Sequence, residues 1–253
     1  MTRVPQYWSL AVADIESFGR RSDTAQQALR ADLRAAIAAA FDTAGVESAA
    51  VKTGDTGDGL IMRIPAAVPK PAVTRALTTG LNTQLVRRTL APHPVEELRL
   101  RLALHAGEVG EDEFGIVGTD LNTACRIVDA QPLRDVLATA VRAHLAVAVS
   151  QTWYDAVIRH GYDQIDPAAY RPAHLAVKEV HQTVWLNVPS LSEPPGLPVY
   201  TADAVQAVPQ PPGPAAQPPP GARVLTVQGN QYGDSVMGDK HVGSEFHGKA
   251  GEK

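Results

Sequence analysis

Apolar and polar residues follow two different periods along the chain, and each period predicts one kind of element. Residues 8–13 are largely apolar, which is typical of a buried strand. Residues 24–41 instead carry apolar side chains at helical intervals and predict an amphipathic helix packed on a sheet. Its predicted buried positions are Ala25, Leu29, Leu33, Ile37 and Phe41. A second helix is predicted over residues 72–90, after two prolines, with Val73, Leu77, Leu81, Leu85 and Leu90 near one face.

Further strands are predicted between and after these helices. Residues 46–52 indicate a strand with poor alternation, and residues 60–64 indicate another. The seven residues between them contain three glycines and two aspartates, which predicts a tight turn. Residues 98–104 alternate leucine with other residues and predict a half-buried strand that runs into His105. Thr119 is a plausible N-cap for a helix over residues 120–128.

Several polar residues lie where these elements end. Asp14 follows the first strand and can either cap the next helix or hold a cation against phosphate oxygens. Asp58 lies in the turn, and on this segment alone a plain hairpin tip is the favoured interpretation, because Asp-Gly is the commonest turn chemistry. Asn122 and Arg126 stand four residues apart and share one side of their helix. They form either a solvated face or a pair that orients a ribose hydroxyl and neutralises a phosphate.

His105 is the other polar residue at a strand end. A single histidine in that place is typical of a hydrogen-bonded structural residue. No second histidine or cysteine stands beside it at metal-binding spacing, so no zinc site is proposed.

Composition limits the classes of function. The formal net charge of −4 and the pI near 6.1 argue against nonspecific nucleic-acid binding, which needs clustered Lys and Arg. Cys125 is the single cysteine and cannot form an internal disulfide. No run reaches the ~18 apolar residues of a membrane span, and no signal-type segment opens the chain. The chain is therefore predicted to be a soluble cytoplasmic protein.

Four segments occur in the order and at about the intervals of one known domain. They are Asp-Ile-Glu-Ser-Phe at 14–18, Gly-Asp-Gly at 57–59, Leu-His-Ala-Gly-Glu-Val at 104–109 and Gly-Thr-Asp-Leu-Asn-Thr-Ala-Cys-Arg at 118–126. This ordered set resembles the class III nucleotidyl (adenylate/guanylate) cyclase homology domain across residues 7–188. The resemblance implies an α/β (α+β) fold with a ferredoxin-like mixed sheet flanked by helices. It also implies a catalytic domain over residues 1–188.

The resemblance implies a two-metal site shared between subunits. Asp14 and Asp58 would bind two divalent cations, Mg²⁺ or Mn²⁺, with the Ile15 carbonyl as a further ligand. Asn122 and Arg126 would come from the other subunit of a head-to-tail homodimer and stabilise the transition state. The substrate would be a nucleoside triphosphate, whose 3′ hydroxyl attacks the α-phosphorus while pyrophosphate leaves.

Two further residues are assigned to nucleotide binding by the resemblance. Phe18 ends the first motif, and Lys178 occupies a compatible place in residues 174–185, which resemble the last hairpin of the family. For Lys178 the ordinary interpretation, an exposed strand lysine, stands beside this one.

The positions that select the base in purine-specific members are both glycine here. Gly54 stands where a Lys or Glu is common, and Gly115 where an Asp or similar polar residue is common. Asp55 or Lys52 could substitute after a local shift. Three explanations stay open: another base, possibly a pyrimidine; relaxed base choice; or a fold kept for binding after catalysis has faded.

The composition changes after residue 188. Eleven prolines between residues 189 and 220 predict an extended linker, taken as residues 189–222. Residues 223–253 repeat Gly-Asn and Gly-Asp between Val and Tyr residues. This tail is interpreted either as disordered or as a β-forming recruitment motif for a protein partner, weakly similar to amyloid-type signalling motifs.

Two functions follow from the sequence. The first is a homodimeric, metal-dependent cyclase. The second is a catalytically weak or inactive nucleotide-binding or scaffold protein that signals through its tail.

Overall fold

A computed structural model of the protein describes residues 4–90, 97–177 and 180–197. Lys178, the tail and most of the predicted linker lie outside the described residues. None of the helices within these ranges has the length and apolar character that crossing a bilayer requires.

The described residues form eight strands, and β1 lies between β3 and β4. The strands are β1 (Gln6–Ile15), β2 (Lys52–Asp55), β3 (Gly59–Pro65), β4 (Leu100–Asp112), β5 (Gly115–Val117), β6 (Leu145–Ser150), β7 (Arg171–Val177) and β8 (Val180–Asn187). The sheet order is β2-β3-β1-β4-β6-β8-β7, and β5 pairs with β4 outside this path. Among these strands β4 and β6 are the parallel pair and the other pairings are antiparallel, so the sheet is mixed.

Helices cover both faces of the sheet. They are α1 (Asp23–Thr43), α2 (Lys70–Arg75), α3 (Leu81–Thr89), α4 (Thr119–Val128), α5 (Gln131–Thr139) and α6 (Gln151–Ala156). One core cluster joins α1, α2, α3 and α6 to the sheet, and a second joins α4 and α5 to it. The predicted α+β fold, a mixed sheet flanked by helices, is confirmed.

Strand β1 supplies both clusters because alternate side chains point to opposite faces. Leu10 and Val12 pack in the α4 and α5 cluster, whereas Ala11 and Ala13 pack in the α1 cluster. Every residue from 8 to 13 is buried, as the apolar run predicts for a strand covered on both faces.

Helix α1 also follows its prediction. The Ser22 hydroxyl caps it by accepting a hydrogen bond from the Ala25 N–H at 3.4 Å. All five predicted core positions of α1 are buried.

Two predicted elements differ from the structure. Residues 46–51 do not form a strand: Ser48–Ala50 is a 3₁₀ turn, and the strand is Lys52–Asp55, which extends from the end of the predicted strand into the predicted turn. The poor alternation of residues 46–52 gives no apolar face, whereas Lys52–Asp55 gains main-chain pairing with β3.

The predicted second helix begins at Lys70 and is divided by a π-helical turn, Ala76–Gly80, between α2 and α3. Leu77, Leu81 and Leu85 are buried as predicted, but Leu90 is 79% exposed. Leu90 is five positions after Leu85, which places it about 140° away around the helix.

Candidate functional site

The pairing of β1 with β3 brings Asp14 and Asp58 to one place at the end of both strands. Asp14 lies opposite Gly59, and the Ile15 N–H donates to the Asp58 carbonyl at 3.0 Å. A Cβ at Gly59 would lie 2.1 Å from the Ala13 carbonyl oxygen. Glycine is therefore required for the close approach that sets the two aspartates side by side.

Arg101 is a site residue that the sequence reasoning missed. It lies opposite Asp14 in the pairing of β1 with β4, and its guanidinium forms a salt bridge with the Asp14 carboxylate. Each side chain is 14% exposed. The alternation in residues 98–104 places Arg101 on the face opposite to the buried leucines, and this pattern is visible in the sequence. Its pairing with Asp14 is not visible there, because it depends on the register of β1 against β4.

The electrostatic environment of Asp14 opposes its ionisation. Burial raises the pKa of Asp14 from its ordinary value of 3.8 to about 6, and the charges of Asp58 and Asp129 act in the same direction. Arg101 acts against them through its charge and its hydrogen bond. Burial, with the two neighbouring carboxylates, thus outweighs the stabilisation of the Asp14 carboxylate by Arg101.

Two other residues of the first motif lie beside Asp14. The Ile15 side chain is 2% exposed and packs in the core, so only its backbone faces the site. Phe18 begins a 3₁₀ turn, Phe18–Arg20, and is half-buried against the α1 cluster. The Phe18 carbonyl accepts a hydrogen bond from Gln26 of α1 at 3.4 Å.

Helix α4 carries the predicted amide and guanidinium. Asn122 is exposed and Arg126 is half-buried, on the side away from the buried residues Leu121, Ala124, Ile127 and Val128. The structure places this pair on a helix, Asp14 near the end of β1 and Asp58 in the turn before β3.

A hydrogen-bond network that runs from the partly exposed Asp120 to the buried Ser150 fixes the start of α4. Asp120 accepts from the Glu108 N–H at 2.7 Å, and its other oxygen lies 3.4 Å from His105 Nε2. His105 Nδ1 lies 2.9 Å from the Ser150 hydroxyl. Burial lowers the pKa of His105, which keeps the ring neutral. The hydrogen-bonded interpretation of His105 is confirmed, and the network attaches α4 to β4.

The two glycines at the positions that the resemblance associates with base selection differ in backbone freedom. A Cβ at Gly54 would meet nothing within 4 Å, and the backbone there is ordinary. Gly115 has equally open surroundings but a φ of +135°, which L-residues rarely adopt. The Asp55 carboxylate is bound by Arg30 and Arg34 of α1, and Lys52 lies over the Trp8 ring, 5.3 Å from its centroid.

The donor set suits a hard divalent cation. Two carboxylates and nearby backbone carbonyls offer oxygen ligands, which Mg²⁺ and Mn²⁺ prefer. Within the described ranges no group of three or more His, Cys, Asp or Glu residues converges. Any cation at Asp14 and Asp58 therefore requires further oxygen ligands from the backbone, substrate or water.

Solved structures similar to the described residues include nucleotidyl cyclase domains. The adenylate/guanylate cyclase/hydrolase from Silicibacter pomeroyi matches with a TM-score of 0.53 and 18% identity, over 75% of this chain and 99% of that one. The guanylyl cyclase Cya2 matches with a TM-score of 0.51 and 15% identity, over 74% and 95%. No protein-family model and no curated protein sequence matches the chain. The described residues have the fold of the class III nucleotidyl cyclase homology domain.

We predict that Gly107→Ala weakens the attachment of α4. A Cβ at Gly107 would lie 2.0 Å from the Asp120 carboxyl group, so Asp120 must leave its hydrogen bonds. We expect the free energy of unfolding to fall by about 1–3 kcal/mol in urea titrations. Gly110→Ala, in the same strand, meets Val117 only at 3.5 Å and is the matched control. Equal effects of the two substitutions would contradict this account.

We also predict a pH-dependent stability that originates at Asp14. Asp14 binds its proton more tightly in the folded protein, with a pKa near 6, than at its ordinary value of 3.8. The metal-free fold therefore loses stability as pH rises from 4 to 6, on the order of 3 kcal/mol at most.

Thermal unfolding in chelator checks this prediction. The Tm of Asp14→Asn should rise relative to the unsubstituted protein between pH 4 and pH 7, because the asparagine carries no charge. Asp42→Asn, at an exposed carboxylate near the end of α1, should show no such trend. A constant difference in Tm for Asp14→Asn across this range would refute the assignment.

Proposed function

We propose that the protein is a nucleotidyl cyclase that converts a nucleoside triphosphate into a 3′,5′-cyclic nucleotide and pyrophosphate. The observation that carries the proposal is the convergence of Asp14 and Asp58, which are 44 residues apart in sequence, at the ends of adjacent strands. Structural neighbours described as cyclases support it.

In this proposal Asp14, Asp58 and the Ile15 carbonyl hold Mg²⁺ or Mn²⁺, two per site. The cations, when bound, stabilise the attacking ribose oxygen and the departing pyrophosphate oxygens. Arg101 plays a complementary role, because it already pairs with the Asp14 carboxylate and keeps that group oriented before a cation binds. An incoming cation must share or replace that contact.

Asn122 and Arg126 act on the nucleotide itself. The amide orients the ribose so that its 3′ oxygen faces the α-phosphorus, and the guanidinium neutralises charge that builds on the α-phosphate. We propose that a second copy of the chain supplies this pair in a head-to-tail homodimer. Phe18 and Lys178 are proposed as further nucleotide contacts.

A specific observation favours a second candidate, a nucleotide-binding or scaffold protein with little turnover. No side chain projects from Gly54 or Gly115, and a site without base-reading groups discriminates poorly. In this case the tail, residues 223–253, would recruit the protein partner and the domain would sense a nucleotide.

A product screen tests the proposed activity. Purified protein with Mn²⁺ and each of the four nucleoside triphosphates should yield a cyclic mononucleotide from at least one, identified by mass spectrometry. Asp14→Ala and Asp58→Ala should reduce the rate by about 10³-fold or more, because each removes a metal ligand. Asn122→Ala and Arg126→Ala should reduce kcat by about 10²-fold or more.

The same screen separates the two candidates. If the folded dimer binds nucleotide but releases no cyclic product or pyrophosphate, the scaffold candidate is favoured. Mixing Asp14→Ala with Arg126→Ala subunits should restore part of the activity if the site is shared between subunits, and no restoration would count against the shared site.

We predict that base choice can be changed at Gly54 alone. Gly54→Lys should fold normally, since the space above residue 54 is open, and should alter the ratio of cyclic products among the four triphosphates. Thr89→Lys adds the same charge at an exposed position of α3 and serves as the control. An unchanged product ratio for Gly54→Lys would contradict this prediction and indicate that the base does not contact residue 54.

A further inference from the structure

Asp55 has contacts that neither the sequence analysis nor the proposed reaction explains. It is the last residue of β2 and lies three positions before Asp58. In the pairing of β2 with β3, Asp55 lies opposite Leu60, so its side chain lies on the α1 face of the sheet. Asp14 is on the opposite face, because its partner Gly59 precedes Leu60 by one residue.

Three donors converge on the Asp55 carboxylate. Arg30 and Arg34, one turn apart on α1, both donate to Oδ2. The Gly57 N–H donates to Oδ1 at 2.7 Å. Asp55 is thus bound on one side to the long helix and on the other to the hairpin tip, residues 56–58.

The hairpin tip has few other attachments among the described residues. The Thr56 N–H donates to the Gly59 carbonyl at 3.3 Å, and the Asp58 carbonyl accepts from the Ile15 N–H at 3.0 Å. Thr56, Gly57 and Asp58 are all exposed, and Gly57 has a φ of +91°. Because none of the three is buried, hydrogen bonds rather than core packing set their position.

The charges around Asp55 suit a positioning contact. Hydrogen bonds from Arg30, Gly57 and Arg34 lower the pKa of Asp55 to about 2, so it stays ionised. Exposed ion pairs contribute little to overall stability, and the three side chains are 31–45% exposed. The contact should therefore act on the local geometry of the tip more than on the stability of the fold.

We propose that Asp55, held by Arg30 and Arg34, is a positioning residue that docks the hairpin tip and so places Asp58 beside Asp14. The expected effect of this docking on the affinity for a divalent cation rests on the proposed function. The docking itself is independent of turnover. Asp55 is then excluded as a base-reading substitute, because its carboxylate is engaged by α1 on the opposite face of the sheet from Asp14.

The experiment measures docking and metal affinity separately in the full chain. Amide hydrogen exchange at Gly57 and Ile15 reports whether the tip is docked, because both N–H groups bond to the 55–58 segment. Mn²⁺ affinity is measured by the electron paramagnetic resonance of free Mn²⁺. The variants are Asp55→Ala, the double variant Arg30→Gln/Arg34→Gln, and Asp32→Asn.

Asp32→Asn is the matched control. Asp32 is also on α1 and accepts from an arginine, Arg88 of α3, at 2.8 Å, but that contact is away from the hairpin. We expect Asp55→Ala to speed exchange at Gly57 and Ile15 by about tenfold or more and to weaken Mn²⁺ binding by about fivefold or more. The double variant should show the same direction, and Asp32→Asn should change neither.

Each outcome decides a different claim. Unchanged exchange and unchanged Mn²⁺ affinity in Asp55→Ala would overturn the positioning role while leaving the proposed cyclase intact. If the unsubstituted protein fails to bind Mn²⁺ or to turn over nucleotide, the proposed function is wrong. The docking of the tip is then tested only by whether Asp55→Ala speeds amide exchange at Gly57 and Ile15. If Asp55→Ala does not fold, the double variant, which leaves the hairpin sequence intact, decides instead.

Discussion

The antiparallel register of β1 against its two neighbours is the constraint on which the rest of the site depends. It sets Asp14 opposite Gly59 on one side and opposite Arg101 on the other. A slip of one residue would exchange the two faces of β1. Asp14 would then point into the α1 cluster, and Ala13 or Ile15 would take its place in the site. Because β1 is buried on both faces, such a slip is costly, and packing of the core thereby fixes the positions of the polar groups.

Two sets of hydrogen bonds attach the elements that carry the remaining polar groups to the rest of the domain. The network of Asp120, His105 and Glu108 connects the start of α4 to β4, and the contacts of Asp55 connect the hairpin to α1. Both use carboxylates that accept main-chain N–H groups, and such charge-assisted bonds are directional. The sheet thus provides the common frame for elements that are far apart in sequence.

Sequence patterns predicted the elements that depend on the local periodicity of apolar residues, and the polar positions that depend on the ordered motifs. The strand at residues 8–13, helix α1 and the places of Asp14, Asp58, Asn122 and Arg126 follow from such patterns. The salt bridge of Arg101 and the arginine contacts of Asp55, which the sequence suggested only as a possible base contact, were not predicted because their partners lie 87 and 21–25 residues away. The strand at Lys52–Asp55 was missed for a related reason: its stability comes from β3 rather than from its own side chains.

The unequal backbone conformations of Gly54 and Gly115 carry a consequence for how this domain can diversify. A Cβ at position 54 meets no neighbouring atom within 4 Å, whereas position 115 is restricted by its positive φ. A side chain can therefore be added at residue 54 without changing the backbone of β2, whereas one at residue 115 requires the backbone of β5 to change first.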